Sequence, residues 1–132
     1  MVSESFRATW SPRMLSVLRI IVGLLFLEHG LSKYFGFPGP SPATFQVFGL
    51  LGLAGAIETV AGVLVTVGLF TRTAAFIASG EMAFAYFISH FPRNFFPMLN
   101  QGDAAILYCF IFLFIALEGG GPWGIDAARS KT

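Results

Sequence analysis

Four long apolar segments follow one another along the chain, separated by short polar or glycine- and proline-rich stretches. They cover about residues 12–35, 43–70, 73–91 and 102–118. A helix needs roughly 17–25 predominantly apolar residues to cross the hydrocarbon core of a bilayer. The pattern therefore predicts an all-α integral membrane protein, with residues 1–132 forming a single membrane domain built as an antiparallel four-helix bundle.

Basic residues indicate how such a bundle would lie in the membrane. Four spans place both termini on one side, together with the short connection between the second and third spans. That side carries most of the basic residues outside the apolar runs, and the opposite connections carry Arg93. The positive-inside rule then predicts N-in, C-in topology. The basic residues assigned to the inside are Arg7, Arg13, Arg72, Arg129 and Lys131.

Composition favours a lipid-facing surface. The chain is 55% hydrophobic and only 11% charged, whereas a soluble domain carries about 25% charged residues. A net charge of +1 without a basic stripe excludes nucleic acid as a partner. Cys109 is the single cysteine, so dithiol exchange within this chain is excluded, and we expect the thiol to pack as a small apolar group. We predict no metal site.

Ionisable residues inside the apolar runs are the candidates for a functional site. Glu28, His29 and Lys33 lie near the end of the first run, Glu58 in the middle of the second and Glu81 inside the third. A charged side chain at the centre of a bilayer costs about 3 kcal/mol on insertion scales, so such groups usually face a protein interior or a cavity. We predict that the groups on the first two runs, with His90 at the end of the third, converge into one polar cluster toward the outer leaflet. Glu81 is expected nearer the cytoplasmic half, where it forms a second polar contact unless its helix is distorted.

Helical spacing refines this cluster. His29 and Lys33 are four residues apart and share a face. Glu81 and His90 are nine residues apart, about half a turn out of phase on an ideal helix, so they share a face only if that helix is distorted. Asp103 is expected to begin the fourth helix, where its charge suits the helix N-terminus. Arg19 is expected to reach the interface or to pair with Glu81 or Glu118.

Structural interpretations of the same residues remain open. Lys33 and Glu58 can form an ion pair that only fixes helix register, and both histidines can be hydrogen-bonded packing residues. Small residues recur along the second apolar run and permit close helix approach, either within the bundle or in a homo-oligomer. They are Gly49, Gly52, Gly55, Ala56, Thr59, Gly62 and Thr66.

The motifs along the chain resemble those of DoxX-like membrane proteins. The first is Leu18-Arg19-x(3)-Gly23-Leu24-Leu25-Phe26-x-x-His29-Gly30-x-x-Lys33. The resemblance continues through Glu58, Gly68-Leu69-Phe70-Thr71-Arg72, His90, Gly102-Asp103-x-Ala105 and Gly119-x-Gly121-Pro122-Trp123-x-Ile125-Asp126. It implies a four-helix protein of the bacterial or archaeal cytoplasmic (inner) membrane, in a family that includes the membrane subunit of a thiosulfate:quinone oxidoreductase. It also singles out His29, Lys33, Glu58 and then His90.

Our leading functional hypothesis is a quinone-binding subunit of a membrane oxidoreductase. His29, Lys33 and Glu58 are the predicted catalytic residues, and His29, His90, Glu58 and Glu28 the predicted quinone-binding residues. The sequence has no motif for an electron carrier, so we expect a partner protein to supply electrons. The alternatives are a non-catalytic anchor or assembly subunit and a pathway for protons or small solutes. A b-type haem between His29 and His90 is disfavoured.

Overall fold

The structure is a computed structural model that describes all 132 residues, and it contains helices but no strands. The all-helical prediction is therefore confirmed. Helix α3 continues into a π-helical segment, Tyr86–His90, and a 3₁₀ turn, Phe91–Arg93. The α-helices are α1 (Glu4–Phe35), α2 (Leu50–Val67), α3 (Thr71–Ala85), α4 (Pro97–Asn100), α5 (Asp103–Glu118) and α6 (Ile125–Arg129).

Helix α1 begins earlier than the apolar pattern predicts. The prediction placed its start at about Pro12, but the helix extends back to Glu4 and spans 32 residues. The Ser3 side chain caps it by accepting a hydrogen bond from the Phe6 N–H. Hydropathy marks the part of a helix that suits lipid, whereas the cap marks where the helix begins. The other end agrees with the prediction, because Gly36 adopts a left-handed conformation with φ 64°.

Helix α2 begins later than predicted, at Leu50 rather than about Ala43. Residues 43–49 form turns instead, and Gly49 caps the helix in an extended conformation. Pro40 and Pro42 precede this segment. Proline disfavours helical geometry in the residue before it, so these prolines explain why no helix forms ahead of residue 43. The apolar composition of residues 43–49 does not distinguish turns from a helix.

Small residues allow α1 and α2 to pack with their backbones close together. A Cβ on Gly30 would lie 2.7 Å from the backbone nitrogen of Thr59, and one on Gly23 would lie 2.8 Å from that of Thr66. On the other helix, a Cβ on Gly62 would lie 2.8 Å from the Cα of Leu27. Small residues of α2 therefore serve helix packing within this chain, which is the first of the two roles that the sequence left open for them.

Helices α3 and α5 form a second packed pair. Ala74, Ala75 and Ala78 on α3 are buried, as are Phe112 and Ile115 on α5. Alanine leaves room for the larger side chains opposite, so the layers interdigitate. Helix α2 lies beside α3, and the ring of Phe26 on α1 packs against that of Phe112, with centroids 4.8 Å apart.

Cys109 is half-buried on α5 and faces the α3 interface. The Ser79 hydroxyl donates a 2.7 Å hydrogen bond to the Cys109 carbonyl oxygen and lies 3.5 Å from its thiol. The cysteine thus packs between helices, in keeping with the expected structural role.

Arg19 is fully buried at the end of the molecule where α2 ends. Its guanidinium donates to the carbonyl oxygens of Val65 and Thr66 at 3.1 and 3.2 Å, and to that of Trp123 at 2.6 Å. Contrary to the expectation from the sequence, the guanidinium neither extends toward the interface nor pairs with Glu81 or Glu118. Instead, Arg19 satisfies carbonyls at the C-terminal end of α2, which have no partners within the helix, and ties them to the C-terminal segment.

Asp126 caps α3 from the C-terminal segment. Its two carboxylate oxygens accept hydrogen bonds from the backbone N–H groups of Phe70 and Thr71, each 2.9 Å long. Partial burial favours the neutral acid, but these N–H donors and the positive charge of Arg129 hold the pKa of the Asp126 carboxyl below its usual range. The C-terminal segment is therefore part of the folded structure.

Most large apolar side chains face outward. Only 25 of the 132 residues are buried, and exposed aromatic residues such as Phe76, Phe84 and Phe110 cover the outside of the helices. Helices α1 and α2 are long and apolar enough to cross a membrane, whereas α3 and α5 have 15 and 16 residues. An outer surface of this kind suits hydrocarbon better than water.

Candidate functional site

A cavity of about 780 Å³ is lined by residues of α1, α2, α3, the π-helical segment and α5, together with Gln101. Its volume falls within the range of roughly 300–1,000 Å³ that is usual for small-molecule sites. Fifteen of its 23 lining residues are hydrophobic, and the ionisable residues among the others are those that the sequence singled out. They are His29, Lys33, Glu58, Glu81 and His90.

Lys33 and Glu58 form an ion pair that joins α1 to α2. The Lys33 Nζ lies 2.5 Å from Oε2 of Glu58, and the two side chains are 14% and 4% exposed. Burying two charges carries a desolvation penalty that their attraction offsets only when the geometry is good. The close pairing provides that geometry and engages one of the three ammonium protons of Lys33, which also lines the cavity.

The His29 ring is oriented by its own helix. Its Nδ1 lies 2.7 Å from the carbonyl oxygen of Leu25, and because a carbonyl only accepts, Nδ1 carries the proton. The ring meets the Tyr108 ring edge-on, with centroids 5.9 Å apart. In the neutral tautomer Nε2 is left as a hydrogen-bond acceptor, and it becomes a donor only when the imidazole is protonated.

His90 is held in the same way from another part of the chain. Its Nδ1 donates to the carbonyl oxygen of Asn100 at 3.0 Å, and its ring stacks on Tyr86. Asn100 is fully buried, and its side chain donates to the Tyr86 hydroxyl and to the carbonyl of Asn94. This network fixes the connection before α5 against the end of α3, and the Nε2 of neutral His90 is likewise left as an acceptor.

Glu81 is the cavity residue that sequence reasoning could not assign. It lines the cavity, and its Oε2 is buried without any hydrogen-bond partner. Lys33, whose charge would compensate it best, is already paired with Glu58. A buried polar atom without a partner costs about 1–3 kcal/mol, so a group that satisfies this oxygen would be held favourably in the cavity.

The π-helical segment explains why Glu81 and His90 line the same cavity. An ideal α-helix would turn them about half a turn apart. The wider turns of Tyr86–His90 reduce the rotation per residue and bring the imidazole round toward the side of Glu81. The distortion that the spacing required is therefore present, and π-helical turns are frequent at functional sites.

Two other residues of interest lie outside the cavity. Glu28 is exposed on α1 and is not among the residues that line the cavity. Asp103 lies in the first turn of α5, as predicted.

Tyr108, which sequence reasoning missed, lies about one and a half helical turns after Asp103 on α5 and lines the cavity. It had no signal beyond a tyrosine in a run rich in phenylalanine.

Residues 14–91 of the chain match the DoxX family. The chain belongs to the DoxX family. A protein of Haemophilus influenzae that is named as uncharacterized is 41% identical over 122 residues, covering 89% of this chain and 91% of that protein. An uncharacterized membrane protein of Mycobacterium tuberculosis, Rv3486, is 26% identical over 91% of this chain and 83% of its own length.

A third relative of this DoxX protein has a name that suggests a reaction. The Bacillus subtilis protein named "Putative oxidoreductase CatD" is 46% identical over 63 residues, 42% of this chain and 44% of that protein. No solved structure matches the chain. The family match and the apolar helices identify a membrane protein of the DoxX family.

Proposed function

We propose that this DoxX protein crosses the cytoplasmic membrane of a bacterium or archaeon four times, with both termini in the cytoplasm. The spans would be α1, α2, α5 and the continuous helix formed by α3 and its π-helical extension. The distribution of arginine and lysine supports this orientation. A reporter that is active only in the cytoplasm should be active when fused after Thr132. If only a reporter that requires the periplasm is active there, the proposed topology is inverted.

We further propose that the cavity binds a quinone and that the protein is the quinone-binding subunit of a membrane oxidoreductase. The observation that carries this proposal is the combination of a largely apolar cavity with a polar wall. A quinone ring suits apolar walls, and its carbonyl oxygens need hydrogen-bond donors. The cavity offers such a donor from Lys33, and Glu81 would offer a second one when its carboxyl group carries a proton. The unpartnered oxygen of Glu81 is the feature that such a ligand would satisfy.

The polar residues have distinct roles in this proposal. The Lys33 ammonium would stabilise negative charge that develops on a ligand oxygen, and Glu58 would keep the ammonium in place. Reduction of a quinone consumes two protons, and oxidation of the quinol releases them. His29 and His90 present acceptor nitrogens when neutral, so they suit removal of protons from quinol hydroxyls and donate only after protonation.

Electrons would come from, or pass to, a partner protein in this proposal. The name of the Bacillus subtilis relative supports an oxidoreductase system. Co-purification of the tagged chain from native membranes in mild detergent, followed by identification of stoichiometric partners, should yield a protein that carries a redox cofactor. Recovery of the chain alone from several mild detergents would contradict this part of the proposal.

The test of quinone binding is mass spectrometry of the organic extract from protein purified out of its native membrane. We expect near-stoichiometric quinone in the wild type and its loss in Glu58→Gln. Glu28→Gln removes the same charge from an exposed position outside the cavity and should retain the quinone. An extract that contains only phospholipid would favour the anchor or assembly role, in which the Lys33–Glu58 pair fixes helix packing.

A further inference from the structure

Gly80 lies in the interior of α3, is exposed and lines the cavity. Glycine in the middle of a helix destabilises it by roughly 0.5–1 kcal/mol relative to alanine. At each of the other helical glycines, an added Cβ would lie less than 3 Å from an atom of another segment. A Cβ added at Gly80 would meet nothing within 4 Å. Helix packing therefore gives no reason for the missing side chain.

The missing side chain of Gly80 leaves a gap between large apolar side chains that also line the cavity. Phe76 and Phe84 lie one turn before and one turn after it, and both are exposed and line the cavity. On α2, Leu53 and Leu50 are also exposed and line the same cavity. Large exposed apolar side chains thus border the cavity here, and Gly80, which has no side chain, lies between the two phenylalanines.

A second rim of the cavity has a different chemistry. Ser89 and Gln101 are exposed there and line the cavity beside His90. This rim suits water and polar groups. The rim at Gly80 has no polar side chain at its border, so an apolar chain that lies in it leaves no hydrogen-bonding group unsatisfied.

We propose that the gap at Gly80 is a lateral opening through which a lipid-soluble ligand enters from the bilayer and its apolar tail remains in contact with lipid. This inference rests on the proposed function and adds the class of ligand. The ligand has a compact head that accepts hydrogen bonds near Lys33 and Glu81, and a hydrocarbon tail that passes between Phe76 and Phe84. A head without such a tail would use only the polar part of the cavity.

The test compares two probes on the purified protein in nanodiscs, a benzoquinone with a decyl tail and the same ring without it. Gly80→Leu places a branched side chain in the gap, and leucine is a better helix former than glycine, so the variant should fold. We expect binding of the tailed probe to weaken about tenfold or more, equivalent to roughly 1.4 kcal/mol, while binding of the tailless ring changes less than about twofold.

Two controls make the result specific. Gly80→Ala adds a single methyl group where nothing lies within 4 Å and should therefore weaken binding of the tailed probe much less than Gly80→Leu does. Thr73→Leu places the same leucine side chain at an exposed position of α3 outside the cavity and should leave both affinities unchanged. Equal binding of the tailed probe by Gly80→Leu and wild type would overturn the lateral opening. Failure of the wild type to bind either probe would overturn the proposed function itself.

Discussion

The ion pair between Lys33 and Glu58 gives a prediction whose size follows from burial. Replacing Lys33 by methionine keeps most of its hydrocarbon chain but leaves Glu58, with 4% of its side chain exposed, without a cation. Breaking a buried pair in this way costs about 3–5 kcal/mol. Protonation limits the cost, because neutralising a glutamate of ordinary pKa 4.3 at pH 7 requires about 3.7 kcal/mol. We therefore expect Lys33→Met to destabilise the fold by about 3–4 kcal/mol.

The reverse substitution should cost less. Glu58→Gln leaves an ammonium on a long flexible stem that is already 14% exposed and can turn toward water. We expect a loss of about 1–3 kcal/mol. The double variant Lys33→Met with Glu58→Gln removes both charges, so its stability should lie above that of Lys33→Met alone by at least about 1 kcal/mol.

The assay is reversible unfolding of the purified protein in mixed micelles at pH 7, followed by circular dichroism. Glu28→Gln serves as the control for loss of a carboxylate at an exposed position on α1 and should lie within about 0.5 kcal/mol of the wild type. If Lys33→Met is as stable as the wild type, or if the double variant is only as stable as the sum of the single losses implies, the pair is not coupled and the reasoning is refuted.

Three further predictions concern other parts of the fold. Arg19→Met should destabilise the protein by at least about 3 kcal/mol in the same unfolding assay, because three backbone carbonyls lose their donor, and Arg19→Lys should recover part of the loss; equal stability of all three proteins would contradict this. Asp126 has a lowered pKa when folded, so its contribution to stability is present above the unfolded value of about 3.9 and is lost as the pH falls through the lower folded value. Asp126→Asn should cost about 0.5–2 kcal/mol at pH 7, and a titration of stability between neutral and acidic pH should show a smaller decrease than in the wild type; curves that run parallel would oppose this assignment. Gly30→Ala should destabilise the α1–α2 pair by about 1–3 kcal/mol, since its Cβ would lie 2.7 Å from the Thr59 nitrogen, whereas Gly80→Ala should not destabilise, and similar losses for both would argue against close backbone packing.

Much of the architecture follows from the apolar pattern. The end of α1 at Phe35 and the start of α5 at Asp103 agree with prediction within a residue or two, because Gly36 and Asp103 have clear local preferences. The predicted start of α1 was wrong, because a polar stretch of helix that precedes the apolar run leaves no trace in hydropathy. The predicted surroundings of Arg19 were also wrong, because its partners are backbone carbonyl groups, which no sequence pattern reveals.

Some residues of the candidate site could likewise be predicted from the sequence, and others could not. His29 and Lys33 could be placed together from their spacing of four residues, and the structure brings Glu58 to Lys33. Glu81 could not be assigned, because its relation to His90 depends on the π-helical turns of Tyr86–His90. A single extra residue per turn changes which face a side chain occupies, and local sequence does not reveal where such turns form.

The most direct test of the central claim is to locate the bound quinone by photo-crosslinking. Protein in native-lipid nanodiscs would be irradiated with a photoactivatable quinone and mapped by peptide mass spectrometry. The account predicts labels on cavity residues such as Met82 and Tyr108, reduced by excess unlabelled quinone and absent in Glu58→Gln. Labels spread over exposed residues outside the cavity, such as Phe110 and Phe114, and insensitive to competition would contradict it.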